Sequence, residues 1–457
     1  MICFKESSGR CESKMNVLVV GGGAREHVMS EAVHRSKQTT LFSVMNNINP
    51  GIKSIAQSVL QQRETVIDPI VDYADDQSID FVLIGPEAPL QAGLTDALQK
   101  QGITVCAPSQ SAARIETDKE WMRKILDKYQ IAGRIAWSTF VDVEKAISFI
   151  DRLEGEVALK PIGLTGGKGV KVADDHFHDV DGARAYIKSI FDEEIGGQSK
   201  VLVEEKVIGE EFTIQAFSDG KTILPLPAVQ DHKRLLPGDE GPNTGGMGSY
   251  SDRTGLLPFL SKSEYEEAAT ILQNLVEALS KESCPYVGPI YGQFMLTRDG
   301  PKIIEINARF GDPEAMNVLP LLDSDFVELC QAMIKGEVEK HQLKIKPLAT
   351  VCKYVVPEGY GKQSMVGEKI IVDDKQISKK GSQLFYASVN KSNDHVTTTS
   401  SRSLAVVGIA ESIATAEQRC EQSLQFVSGE HMFIRHDVGT AELIQKRIDH
   451  MNKLRGL

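Results

Sequence analysis

From Met15 the chain alternates short apolar runs with stretches of helical period: NVLVV from Asn16, a helix from about Glu26, then LFSVM from Leu41, FVLI from Phe81 and ITVCA from Ile103. Strand and helix alternating at this spacing predict a parallel sheet covered by helices, placed at residues 15–116. A helix is expected from Asp118, then strand-like IAWSTF, a helix near Val143 to Leu153, and the strand EVALKP, whose Gly-rich turn returns as GVKVA. Two further strand-like runs lie between Ser199 and Pro227, and Tyr265 to Ser280 is amphipathic with helical period. The strands YGQFMLT and KIIEINAR and a helix ending near Gly336 close a unit placed at 117–340. Strand-rich text after Leu343 (LATVCKYVV, QLFYASVN, LAVVGIA), with one helix from Ala414 to Val427, predicts an α+β domain at 341–457. The fold class is therefore α/β and α+β, multidomain. Residues 1–14 read as a tail, and Gln230 to Tyr250 reads as one long, aperiodic loop.

Composition narrows the function. The 457 residues carry a net charge of −12, which argues against nucleic acid or an anionic membrane surface as partner but allows small anions held in a local pocket. No run approaches the roughly 18 apolar residues of a spanning helix. Seven cysteines without a CxxC pair suit reduced, buried thiols in a cytoplasmic enzyme rather than a disulfide framework or a zinc site. Oligomeric state is not legible.

Four stretches carry candidate chemistry. Gly21-Gly22-Gly23 joins the first strand to a helix, where exposed N–H groups make an anion site; Arg25 could grip a phosphate, His27 reads as a structural residue, and a plain tight turn stays open as the other reading. In ALKPIGLTGGKGVKV, Gly163, Gly166, Gly167 and Gly169 make a strand-loop-strand turn with Lys160 before it and Lys168 inside it. A Walker A loop would lead into a helix; a Gly-rich loop between strands is the other way to cover a triphosphate. Downstream, Glu204, Val207 and Glu211 have the spacing to read an adenine edge and take ribose hydroxyls. In KIIEINARFGDPE, alternation puts Ile304 and Ile306 on one face and Glu305 and Asn307 on the other. With Gln293 on the partner strand, these oxygens suit Mg²⁺.

These strings resemble the ATP-grasp superfamily, and within it the phosphoribosylamine–glycine ligase family: GGGAREH, GPEAPL from Gly85, the GGKG loop, QDHKR from Gln230, GPNTGGMG from Gly241 and NARFGDPE from Asn307 stand in that family's order. Ala24 stands where the family has Gly, Pro161-Ile162 replaces Ala-Asp, and NNINPG at 46–51 only loosely echoes a PGN turn. The resemblance implies an N-terminal phosphoribosylamine-binding domain, an ATP-grasp lid at about 136–205, a central ATP-grasp domain and a C-terminal domain. It implies ATP and Mg²⁺ or Mn²⁺ as cofactors, and glycine and 5-phosphoribosylamine as substrates. Lys119, Lys160, Lys168, Gly166, Gly167 and Gly169 are then expected at the ATP phosphates, and Glu204, Glu205, Val207 and Glu211 at the nucleoside. Gln293, Glu305 and Asn307 would hold the metal; Arg309, Lys160 and Asp231 would serve catalysis. Gly23, Arg25, Glu26, Glu87, Asn243, Thr244, Gly245, Gly246, Asp312, Pro313 and Glu314 would line the substrates. The rivals are an ATP-grasp ligase acting on formate or bicarbonate, and a nucleotide-binding regulator without turnover.

Overall fold

The computed structural model describes residues 14–162, 169–195, 200–391 and 395–457. The first apolar runs form a five-stranded parallel sheet in the order Ser58–Gln61, Thr39–Met45, Met15–Val20, Phe81–Ile84, Thr104–Val105. Val17 and Val19 enter one core and Leu18 and Val20 another, all fully buried, which is why a strand covered on both faces reads as a continuous apolar run. Strand order reverses at Met15–Val20, so its carboxyl end and that of the adjacent Phe81–Ile84 open a crevice. The turns that rim it carry Gly21 to Gly23 and Gly85 to Glu87.

A four-stranded antiparallel sheet follows, in the order Trp137–Phe140, Val201–Glu205, Val157–Pro161, Lys171–Val172. Helices Val143–Arg152 and Val180–Asp192 cover it, with a separate core around Ile150, Leu159, Ile187 and Val203. The second helix was not among the expected elements: Ala183, Tyr186, Ile187 and Ile190 have helical spacing, but Gly182 in the first turn weakens the local signal. The central sheet runs Ile223–Pro225, Glu210–Asp219, Val287–Thr297, Gly300–Asn307, packed against the helix Lys262–Lys281 through Ala268, Ile271, Leu272 and Leu275.

The stretch from Gln230 to Tyr250 is not one loop. It holds the strands Gln230–Asp231, Arg234–Leu236, Glu240–Asn243 and Gly248–Ser251, each too short for alternation to show in the sequence. Gly248–Ser251 joins Ala349–Pro357, Leu404–Ala410 and Ser382–Tyr386 in the C-terminal sheet, so that sheet draws strands from both sides of residue 341. A further helix, Ala441–Arg455, ends the chain; it too was missed, because only Leu443 and Met451 on it are fully buried. Five cysteines (106, 284, 330, 352 and 420) are free and buried; Cys3 and Cys11 lie outside the described residues. Among the described residues no helix is long and apolar enough to cross a membrane.

Candidate active site

The strand Gly300–Asn307 is paired so that Gln293 faces Glu305 and Tyr291 faces Asn307. Its register shifts at Ile304, so Phe294 faces Ile303. This irregularity corrects the expected alternation: Ile303 and Ile306 are the buried pair, while Ile304, Glu305 and Asn307 are partly exposed. Bulges of this kind re-aim side chains beside active sites. The carbonyls at the irregularity are capped by Arg123, whose Nη1 donates to Ile303 O at 2.9 Å and Nη2 to Ile304 O at 3.0 Å.

Arg123 comes from the helix Lys119–Lys128, which Asp118 caps. Its Nε donates to Glu204 Oε1 at 2.7 Å, and Lys160 Nζ lies 2.5 Å from the other oxygen of that carboxylate. Burial would raise the Glu204 carboxyl, but the two cations hold it down at about 2. This triad joins the small sheet to the central sheet, and it holds the Lys160 ammonium on Glu204, near enough to Glu305 to help lower that carboxyl. Lys119 opens the same helix; burial, then Lys160, lowers its ammonium from the ordinary value. Burial opposes ionisation of Glu305, yet Lys233, Lys119, Lys160 and Arg309 outweigh it and lower the carboxyl. Lys119, Lys160, Lys233 and Arg309 thus all act on the Glu305 carboxyl, a concentration of cations that suits an anion.

Lys233 stands nearest the oxygens. Its Nζ bonds Gln293 Oε1 and lies 3.8 Å from Glu305 Oε1 and 3.9 Å from Glu211 Oε2. Gln293 Nε2 in turn donates to Glu211 Oε2 at 2.6 Å.

On the crevice side, Arg309 is gripped by Glu116 at 2.9 Å and Glu87 at 3.6 Å, and its guanidinium is raised by the two carboxylates against the opposing effect of burial. Gly23 N–H donates to Glu26 Oε2 at 2.7 Å, and Arg25 Nε to Glu26 Oε1 at 2.6 Å. The Glu26 carboxylate explains the neighbouring glycine at 85: a Cβ there would lie 2.0 Å from Glu26 Oε1. His27 is buried, its Nδ1 accepting from Tyr386 N–H at 2.9 Å, a tie between the first helix and the C-terminal sheet.

A third group surrounds Asp231. Burial and then Glu314 push its carboxyl well up from the ordinary value, and Tyr291 donates to Glu314 Oε1 at 2.9 Å. Thr244 N–H and Oγ1 both donate to Lys233 O, at 2.7 and 2.8 Å, closing the turn after Asn243. Gly246 has φ +102°, and a Cβ there would sit 2.7 Å from Asp231 Oδ1 and from Pro313 Cδ. Arg402, from the C-terminal region, binds this turn together: its Nη1 donates to the carbonyls of Gly245, Gly246 and Asp312, and its Nη2 is 3.1 Å from Asp312 Oδ2.

The structure thus gathers Lys119, Lys160, Glu204, Glu211, Gln293 and Glu305 at one seam, and Asp231, Gly245, Gly246, Asp312 and Glu314 beside it. Glu205 ends its strand, and Val207 lies in the connection to Glu210–Asp219. Gly169 accepts from the Tyr186 hydroxyl through its carbonyl at 2.6 Å; Gly166, Gly167 and Lys168 lie outside the described residues. The sequence reading did not single out Arg123, Glu116 or Arg402. Arg123 left a signal, a cation between Met122 and Ile125 on the buried helix face; Arg402 left none.

Lysines from a strand, a helix and a turn gathered at a Glu and Asn strand end, between antiparallel sheets and beside a parallel sheet with its own crevice, are the architecture of the ATP-grasp enzymes. The chain belongs to the phosphoribosylglycinamide synthetase family: the N domain of that family matches residues 15–116, its ATP-grasp (A) domain 117–315 and its C domain 350–441. It is 50% identical over 442 residues to the phosphoribosylamine–glycine ligase of Methanothermobacter thermautotrophicus, covering 96% of this chain and 100% of that one. It is 48% identical over 440 residues to the enzyme of the same name from Methanobrevibacter smithii, with 96% and 100% covered. In structure it is similar to the phosphoribosylamine–glycine ligase of Thermotoga maritima, with a TM-score of 0.78 at 23% identity over 93% of this chain and 100% of that one. The fold is also that of Campylobacter jejuni biotin carboxylase, with a TM-score of 0.70 at 13% identity over 97% and 98% of the two chains.

Proposed function

We propose that this protein joins glycine to 5-phosphoribosylamine at the expense of ATP, giving glycinamide ribonucleotide, ADP and phosphate, as a cytoplasmic step of purine synthesis. The observation that carries the reading is the Arg123–Glu204–Lys160 triad, whose lysine acts with Lys119 and Lys233 on the Glu305 strand end, within a chain of this family. An amine cannot displace oxide from a carboxylate, so the carboxyl group must first be activated. A glycine carboxylate oxygen attacks the γ-phosphorus, the bond to the ADP oxygen breaks, and glycyl phosphate forms. The amine of phosphoribosylamine then attacks the acyl carbon, and phosphate leaves.

Phosphoryl transfer of this kind is governed by positioning and charge neutralisation. Lys119 and Lys160 hold the phosphates, a role that Gly166, Gly167, Lys168 and Gly169 share. Glu205, Val207 and Glu211 meet the nucleoside, while Glu204, engaged by two cations, aligns Lys160. The oxygen donors around Lys233 test the metal: Gln293 and Glu305 already converge on one cation, the lysine ammonium, and their hard oxygens fit Mg²⁺ or Mn²⁺, with Asn307 alongside. When bound, that ion neutralises the phosphates. Arg309 steadies the acyl phosphate. Burial raises the Asp231 and Glu314 carboxyls, and an ammonium between them would favour their charged forms, which suits glycine; the Asn243 to Gly246 turn closes over it. Gly23, Glu87, Asp312 and Pro313 line the phosphoribosylamine crevice, braced by Arg25 and Glu26. Residues 136–205 form the lid that excludes water, which would hydrolyse an acyl phosphate. The test is ADP release with glycine and freshly made phosphoribosylamine: both should be required, and substantial turnover with formate or bicarbonate in place of glycine would overturn the assignment.

A further inference from the structure

Lys233 has no role in the chemistry above, yet its ammonium occupies the place where a divalent cation is expected. Its partners come from three adjacent strands: Glu211 on Glu210–Asp219, Gln293 on Val287–Thr297 and Glu305 on Gly300–Asn307. The Gln293 amide is held in one orientation, because its Nε2 donates to Glu211 Oε2 at 2.6 Å and its Oε1 accepts from Lys233. The lysine main chain is fixed as well, its carbonyl accepting twice from Thr244 at 2.7 and 2.8 Å. The side chain alone has room to move, being 28% exposed.

We propose that Lys233 is an internal counter-cation that closes the metal position in the nucleotide-free enzyme and must swing out when the metal enters. Glu305 and Gln293 cannot serve both cations at once, since an ammonium and a divalent ion on the same two oxygens repel strongly in a partly desolvated site. The displaced ammonium keeps its anchored backbone and has the incoming phosphates as its nearest new partner. Metal loading and delivery of the Lys233 charge to the phosphoryl group are thereby one event. Metal without nucleotide gains no such compensation and should bind weakly. The inference rests on the metal assignment made above, and the experiment separates the two.

Mn²⁺ binding to the full-length protein is measured by electron paramagnetic resonance, without nucleotide and with ATP, for wild type, Lys233→Met, Glu305→Gln and the Lys233→Met/Glu305→Gln double variant. Lys233→Met should bind Mn²⁺ tighter by on the order of tenfold or more, and Glu305→Gln should abolish that gain. Should Lys233→Met bind no tighter while Glu305→Gln weakens Mn²⁺ binding in the presence of ATP, the lysine proposal falls and the metal site stands. If Glu305→Gln leaves Mn²⁺ binding with ATP unchanged, the metal assignment fails and takes the proposal with it. A measurement on wild type guards against a misfolded variant: amine acetylation at Lys233, followed by peptide mass spectrometry, should accelerate several-fold when Mn²⁺ is added without ATP at a concentration that fills this weak site as read by electron paramagnetic resonance. A Lys233 labelling rate indifferent to Mn²⁺ overturns the proposal.

Discussion

Replacing Arg123 by Met tests whether the buried triad holds the two sheets and the catalytic lysine together. Arg123 is 1% exposed and Glu204 2%, so neither charge has water to fall back on. Removing one partner of a buried pair costs about 3–5 kcal/mol. Here Lys160 remains 2.5 Å from the second Glu204 oxygen, which argues for the lower end, about 3 kcal/mol. The carbonyls of Ile303 and Ile304 also lose a charged donor, and buried acceptors left unpaired add about 1–3 kcal/mol. We expect a loss of about 4 kcal/mol in all, read as a lower urea midpoint at unchanged m, together with a raised KM for ATP as Lys160 is drawn onto Glu204 alone. Arg123→Lys, which restores the charge but not the fork, should recover part of the stability. A loss below about 1 kcal/mol would show that the triad neither supports the fold nor places Lys160.

Three further outcomes follow from the same geometry. Glu305→Ala and Asn307→Ala should lower turnover on the order of a hundredfold at nearly unchanged stability, whereas Ile306→Ala, on the buried face, should cost about 2–5 kcal/mol and keep its Mg²⁺ dependence; steady-state rates against Mg²⁺ and urea midpoints check both. Arg402→Met should raise KM for glycine and for phosphoribosylamine while leaving KM for ATP alone, because its guanidinium bonds the Gly245–Gly246 turn and Asp312 and lies over the ring of Tyr354, whose hydroxyl also bonds Asp312. His232 is buried with neither ring nitrogen hydrogen-bonded among the described residues, and burial first, then Arg435 and Arg447, lower it from 6.5 to about 3. The unfolded chain therefore takes up a proton that the native one refuses, so this contribution to stability is complete above pH 6.5 and is lost as pH falls toward 3. His232→Leu should flatten the decline of urea midpoint across that window.

What the sequence made legible was whatever rests on local periodicity. Met15–Val20 and Phe81–Ile84 are apolar runs because each is covered on both faces, and Gly21 to Gly23 mark the turn after the first. Alternation puts Glu305 and Asn307 on one face, yet the same rule puts Ile304 in the core, and the irregularity that displaces it is bonded by Arg123 from another element. Glu204 was matched to adenine by spacing; its burial between Arg123 and Lys160 arises only when two sheets meet. Arg402 sits in an irregular stretch some 150 residues from the turn it binds, a separation visible in its contact to Gly245, and no local pattern marks such a residue. The strands between Gln230 and Ser251 were hidden for a simpler reason, being two to four residues long.

The central claim is that glycine is activated as its acyl phosphate, and the oxygen atoms of glycine report it directly. With both carboxyl oxygens of glycine labelled as ¹⁸O, a single turnover with ATP and phosphoribosylamine is quenched and the inorganic phosphate analysed by mass spectrometry. The account predicts one ¹⁸O in each phosphate and one in the amide of glycinamide ribonucleotide, since the oxygen that attacks phosphorus leaves with it. Phosphate without ¹⁸O, formed alongside the amide, would contradict it.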